Sequence, residues 1–209
     1  MKPDLIQLDS VSVVYPVHGH ASRRVLDGLN LAIPAGEFVA VCGQTGCGKS
    51  TMLRLILGAE RPTGGRVLID GEELPRPDRN RGYVPQKYSL FPHKTVLDNI
   101  TFGPEMEEFG LLGRFTPRFA RRRKELREQA HAYLKQMGLQ PADANKYPDQ
   151  LSGGMQQRVA IAQALIMHPK ILLMDEAFSA LDPATRSGMQ KLVRKLWAET
   201  GITILFVTH

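Results

Sequence analysis

Residues 43 to 51 read GQTGCGKST, and no other stretch limits the fold of this chain so narrowly. Three glycines within six residues let the backbone curl with its N–H groups pointing inward, a concavity that suits an anion. The apolar run GEFVAVCG comes before it and STMLRLILG, with helical spacing, comes after. Strand, glycine loop and helix therefore arrive in the order of a phosphate loop, with the unpaired N–H groups and positive dipole end of the helix start facing the phosphates. Gly43, Gln44, Thr45, Gly46, Cys47, Gly48, Lys49, Ser50 and Thr51 form the expected nucleotide cradle, in which Lys49 reaches the terminal phosphates and Ser50 offers a hydroxyl to Mg²⁺. The near-continuous apolarity of GEFVAVCG predicts a strand covered on both faces of its sheet.

The stretch ILLMDE, residues 171 to 176, supplies the second half of this chemistry. An apolar strand that delivers Asp175 at its end holds a carboxylate where it can bind a magnesium-bound water, and Glu176 beside it can orient or deprotonate the attacking water. Apolar residues followed by two acids are common by themselves. Together with the phosphate loop they specify hydrolysis of a nucleoside triphosphate.

Around these motifs the pattern is that of an α/β phosphate-loop NTPase core with a mostly parallel sheet, an N-terminal antiparallel β subdomain and an inserted α-helical subdomain. Alternating runs between Leu5 and Ile33 predict two strands and a loop, and GRVLIDG and RGYVPQ predict two more strands. TVLDNI reads as a short helix. From residue 95 to 168 strand signals vanish, and Thr116 and Pro117 open an amphipathic helix that Gly138 closes. Residues 1–94 and 169–209 are thus assigned to the core and 95–168 to the helical insert, in one domain. Asp182 and Pro183 start a further helix, and ITILFVTH is a last apolar strand.

Apolar runs are all far shorter than the ~20 residues of a membrane helix, and the N-terminus lacks the pattern of a signal peptide. Cys42 and Cys47, the only cysteines, flank one glycine loop that a disulfide would distort, so a cytoplasmic chain is expected. The formal charge of +6 suits any polyanion. Much of it lies in RFARRRK, residues 118 to 124, read first as a solvated helix face; the longer stretch 107 to 124 that contains it is read second as a patch for anionic lipid headgroups or an acidic partner loop.

A second helix start, LSGGMQQR at 151 to 158, has Ser152 as its N-cap residue and two glycines. The phosphate loop, this LSGG stretch shortly before ILLMDE, then SALD and a terminal Thr-His resemble, in order and spacing, the ATP-binding subunits of ABC transporters. The resemblance spans essentially the whole chain, and its LSGG motif separates that family from other phosphate-loop NTPases. It implies that Tyr15 stacks on adenine, Gln86 contacts Mg²⁺ and the attacking water, Glu176 is the catalytic carboxylate, Asp182 faces the partner subunit and His209 contacts the γ-phosphate. It also implies a head-to-tail dimer in which Ser152, Gly153 and Gly154 of one copy close over ATP seated on the other. On their own residues alone, Tyr15 is equally strand packing, Gln86 a loop amide and Asp182 a helix N-cap.

The same resemblance implies membrane-embedded permease subunits as partners, a periplasmic or lipid-anchored solute-binding protein in the full complex, and a place on the cytoplasmic face of the membrane. GYVPQKYSLFPHKTVLDNITFG and DEAFSALDPATR are similar to the ATPases of bacterial importers for nitrate, sulfonates and taurine. ABC-type ATPases acting on nucleic acid carry long coiled coils or tandem cassettes, which 209 residues do not hold, so no nucleic-acid partner is expected. Family members continue past the histidine at the position of His209, so the C-terminal part of the domain is expected to be missing from this sequence.

Overall fold

The structure, a computed structural model, describes residues 4–16, 22–73, 76–87, 89–110 and 116–208. The chain divides into two compact units, one of residues 1–83, 170–176 and 196–209 and the other of residues 84–169 and 177–195. Among the described residues no helix is long and apolar enough to cross a membrane.

The first unit holds two sheets. Strands β1 (Asp4–Tyr15), β2 (Arg23–Pro34), β4 (Gly64–Ile69) and β5 (Glu72–Glu73) form an antiparallel sheet in the order β2-β1-β4-β5. Alternation places Ile6, Leu8, Val11 and Val13 of β1 in the core. The β1–β4 register slips between Asp9 and Ser12, where Ser10 has a φ of 50°. Gly65 fits that bulge because a Cβ there would stand 2.3 Å from the Ser10 carbonyl oxygen.

The second sheet has the order β3-β8-β7-β6, from β3 (Phe38–Cys42), β8 (Thr203–Thr208), β7 (Ile171–Asp175) and β6 (Arg81–Val84). β8 runs parallel to both β3 and β7, pairing Cys42 with Thr208 and Val207 with Asp175. Three strand C-termini are thereby set side by side, the edge of such a sheet where ligands bind. β7 is buried at every residue. β3, expected to be covered on both faces, instead takes the edge of this sheet and is partly exposed along its length. An apolar run marks a strand without saying where in the sheet it lies; β8, equally apolar, takes the interior place. Helix α1 (Lys49–Leu57) buries Met52, Leu53, Leu55 and Ile56 in the same core, each a contribution of about 1.5–3 kcal/mol.

The second unit is built on α2 (Val96–Phe109), α3 (Pro117–Gln136), α4 (Gly153–Leu165) and the first part of α5 (Pro183–Thr200). α3 begins as expected, with the Thr116 side chain accepting from the Phe119 amide and Pro117 in the first turn. α2 is longer than TVLDNI suggested, continuing through Pro104 to Phe109. Asn99, fully buried, accepts from the Phe91 amide and donates to the carbonyls of Phe91, Lys94 and Thr95, which pins the preceding loop to this helix.

Two cations of the basic run pair with acids from another helix of this unit. Arg122 forms a two-pronged pair with Glu108, both contacts at 2.8 Å. Arg123 pairs with Asp98 at 3.2 Å and with the buried Glu105 at 3.4 Å, and Arg127 also meets Asp98 at 3.2 Å. The acids belong to α2, so Arg122 and Arg123 join two helices, while Arg118, Arg121 and Lys124 of the same run stay exposed as a solvated face. Arg121, with its side chain 88% exposed, points to solvent.

Candidate functional site

β3 ends at Cys42 and the chain turns at once into the glycine loop. Gly46 and Gly48 have φ values of 80° and 100°, a region that L side chains rarely adopt. At Gly48 the reason is doubled: a Cβ would lie 2.8 Å from Leu26 Cδ2 and 3.1 Å from the Val25 carbonyl oxygen, so strand β2 closes the space behind the loop. Gly48 is also the N-cap of α1 and has no capping side chain, which leaves the helix start open to an external anion. Lys49, 7% exposed, lies across the loop and donates to the carbonyls of Gly43 at 2.6 Å and Gln44 at 2.9 Å. An ammonium has three donors, so one remains for a phosphate oxygen. Cys47 is exposed.

One residue on, the Ser50 hydroxyl donates to Asp175 Oδ1 at 3.0 Å. The carboxylate, 8% exposed at the end of β7, accepts from the Tyr83 hydroxyl at Oδ2, 3.1 Å away. Burial, then the neighbouring Asp175 charge and this hydrogen bond, push the Tyr83 phenol up to about 12. A hydroxyl and a carboxylate brought together are hard oxygen donors that fit Mg²⁺, which keeps several waters and takes one or two carboxylates alongside substrate phosphates. Among the described residues no group of three or more histidines, cysteines or acids is placed to hold a metal ion by itself. Ser50 and Asp175 would hold the Mg²⁺.

Glu176 follows Asp175 with a φ of 48°, one of four described non-glycine residues in the left-handed region. Its amide donates to the Val207 carbonyl at 3.1 Å, tying the turn to β8. Such a backbone costs about 1–3 kcal/mol and is typical of functional sites. The bend sends the chain away from the strand immediately after the carboxylate pair.

Tyr15, at the end of β1, is partly buried against the core. Its hydroxyl accepts from Arg54 Nη2 at 3.2 Å and lies 3.5 Å from Thr51 Oγ1, while Arg54 also donates to Thr51 Oγ1 at 3.1 Å and to Glu60 at 3.1 Å. The Tyr15 and Glu60 contacts hold the Arg54 guanidinium above its ordinary pKa. Tyr15 is thus bound to α1, the helix that carries the phosphate cradle. Sequence reasoning singled out neither Arg54 nor Tyr83: both lie in stretches read for their element or their resemblance, and each is joined to its site by tertiary contact.

The remaining site residues belong to the second unit. Gln86 Nε2 donates to Ser179 Oγ at 3.3 Å. Ser152 caps α4 by accepting from the Met155 amide at 3.3 Å. Gly154 is small for a reason inside the unit, since a Cβ there would meet Thr185 Cγ2 at 2.7 Å. Asp182 accepts from the amides of Ala184 at 3.1 Å and Thr185 at 3.0 Å, and hydrogen bonds from Thr185 and Ala184 hold its carboxyl below the usual range. The structure therefore brings together Tyr15, the glycine loop, Asp175 and Glu176 in one unit, and Gln86, Ser152, Gly153, Gly154 and Asp182 in the other. His209 lies outside the described residues, directly after Thr208 of β8.

Comparison with known proteins gives a consistent answer. Residues 26–179 match the family model described as "ABC transporter". The chain is 41% identical over 204 residues to an uncharacterised ABC transporter ATP-binding protein of Methanocaldococcus jannaschii, covering 98% of this chain and 71% of that one. It is 44% identical over 189 residues to an aliphatic sulfonates import ATP-binding protein of Pseudomonas fluorescens, covering 90% of this chain and 63% of the relative. Among solved structures, a dimeric ATP-binding cassette in a post-hydrolysis state with ADP and Pi superposes with a TM-score of 0.81 at 38% identity, covering 98% of this chain and 88% of that one. The chain spans between 48% and 71% of the length of the first curated relatives it matches.

Proposed function

The chain belongs to the ABC transporter family, and we propose that it is an ATP-binding and ATP-hydrolysing subunit that powers solute movement across a membrane. The observation that carries the reading is the contact between Ser50 and Asp175, 3.0 Å long, beside a loop whose lysine is already stretched over its own carbonyls. A glycine turn with only a structural role has no use for a buried cation and a hydroxyl–carboxylate pair at one helix start. Here they converge where a Mg²⁺-bound triphosphate would need them.

The chemistry assigned to the residues follows from their groups. Backbone N–H donors from Gly43 to Thr51 and the start of α1 bind the phosphate chain, and Lys49 offsets charge on its terminal oxygens. Mg²⁺, when bound at Ser50 and Asp175, would supply Lewis-acid neutralisation of the β and γ oxygens. Glu176 takes the proton of the attacking water, Gln86 orients that water, and His209 contacts the γ-phosphate. Tyr15 supplies an aromatic face for the adenine.

Two copies of the chain are proposed to pack head to tail, so that Ser152, Gly153 and Gly154 of one close on the ATP of the other and Asp182 faces the partner. Support comes from the dimeric cassette to which the fold is similar and from the second helix start, capped but unoccupied by any acidic side chain in its first turn. Permease subunits and, in the full complex, a solute-binding protein are the further partners, on the cytoplasmic face of the membrane. The similarity to a sulfonate importer subunit supports an importer of small solutes. Purified with its partners, Glu176→Gln is expected to retain ATP and lose turnover by ~100-fold or more, the range of a lost general base. Turnover at the wild-type rate would refute the assignment.

A further inference from the structure

Asp175 has two oxygens, and the structure gives each one protein partner: Oδ1 meets Ser50 and Oδ2 meets Tyr83. A carboxylate with only one oxygen held can rotate about its terminal torsion, which is broad and roughly two-fold. Held at both, it presents a fixed edge. Tyr83 sits on β6, next to β7 in the sheet, and its position is therefore set by strand packing rather than by a mobile loop.

We propose that Tyr83 is a positioning residue for the magnesium end of the site: its hydroxyl, donating to Asp175 Oδ2, fixes the carboxylate so that Oδ1 is presented on the Ser50 side. The inference rests on reading Ser50 and Asp175 as the Mg²⁺ residues. Partners behind a metal-binding group orient it, and their loss costs about 10–100-fold in metal affinity. Tyr83 acts by orientation, because a phenol hydroxyl is a donor throughout the neutral range. The same tyrosine stands three residues before Gln86 in sequence, so the carboxylate is anchored to the strand that leads into that segment.

The test is Mn²⁺ titration, followed by electron paramagnetic resonance, into the full chain saturated with ATP, with ATP affinity measured separately in EDTA. Tyr83→Phe keeps the ring and removes the hydroxyl. Its Mn²⁺ dissociation constant is expected to rise about tenfold, while ATP affinity without metal changes less than twofold. Tyr133→Phe, which removes a half-buried hydroxyl bonded to the Leu165 carbonyl in the other unit, is the control and is expected to leave both unchanged. An unaltered Mn²⁺ constant in Tyr83→Phe overturns the proposal. An equal loss in both measurements also overturns it, assigning Tyr83 to packing alone. Absence of ATP-dependent Mn²⁺ binding in the wild-type chain would overturn the magnesium assignment itself, and the proposal with it.

Discussion

Gly48 and Gly46 separate two reasons for glycine in one loop, and alanine at each position measures them. Both have positive φ, 100° and 80°, so either alanine incurs roughly 1–2 kcal/mol of backbone strain. Their surroundings differ. At Gly46 the nearest atom to a new Cβ is Arg23 Nη2 at 3.9 Å, an ordinary contact with a flexible side chain. At Gly48 the methyl would press on Leu26 Cδ2 at 2.8 Å and on the Val25 carbonyl at 3.1 Å, and the second of these is the backbone of β2. Leu26 can move, but Val25 can yield only if its strand shifts, at an overpacking cost of about 1–3 kcal/mol. Gly46→Ala is therefore expected to destabilise by ~1–2 kcal/mol and Gly48→Ala by ~2–5 kcal/mol. Urea unfolding followed by the fluorescence of Trp197 reads this, because that single tryptophan packs on Phe38 and donates to the Gly36 carbonyl within the same unit. A Gly46→Ala midpoint as low as that of Gly48→Ala would refute the reasoning, since strain alone would then account for both.

Other outcomes follow from separate parts of the structure. Asp98 holds Thr95, Arg123 and Arg127 together, whereas Glu108 pairs with Arg122, so Asp98→Asn should lower the midpoint more than Glu108→Gln, for which ~0.5–1 kcal/mol is expected. Differential denaturation of the two variants in low and high salt checks the order. In a Cys42→Ser background, maleimide labelling of the exposed Cys47 is expected to be blocked by Mg-ATP, and equal labelling with and without nucleotide would count against phosphates in the loop. The Tyr83 phenol has a folded pKa above its unfolded value near 10, so its contribution to stability is complete below pH 10 and is lost as the pH climbs toward 12. Ultraviolet titration should show a late-ionising tyrosine that disappears in Tyr83→Phe.

Much of this site was legible because a phosphate loop is a local device: its glycines, lysine and serine are consecutive, and their geometry follows from backbone conformation. The caps were legible for the same reason, as at Thr116 and Ser152. Strand position in a sheet was not, because β3 and β8 are both apolar and only the order of pairing puts one at the edge. The basic run, in which Arg118, Arg121 and Lys124 are exposed as expected whereas Arg122 and Arg123 are paired, was legible only in part for a related reason. Its sequence gives the cations of α3, but the acids that neutralise Arg122, Arg123 and Arg127 come from a helix ten or more residues away. The roles of Tyr83 and Arg54 were not legible from the stretches that hold them, since their partners are Asp175 in one case and Tyr15 in the other, both distant in sequence.

The two helix starts are unequal, and the inequality bears on how a shared nucleotide would be held. The start of α1 combines open N–H groups with a buried ammonium and a hydroxyl–carboxylate pair, while α4 offers a serine-capped terminus with no lysine beside it in LSGGMQQR. A helix terminus alone favours an anion by roughly 0.3–1 kcal/mol at an exposed site, far too little to retain a triphosphate. Moreover, the smallness of Gly154 is already used in packing on Thr185 at the start of α5, where Asp182 caps the helix. Gly154→Ala should consequently disturb its own unit first. In the proposed dimer the α4 terminus would then be a weak second contact whose contribution depends on an anion already fixed elsewhere, as a surface that closes on ATP and releases once the terminal phosphate is gone would require.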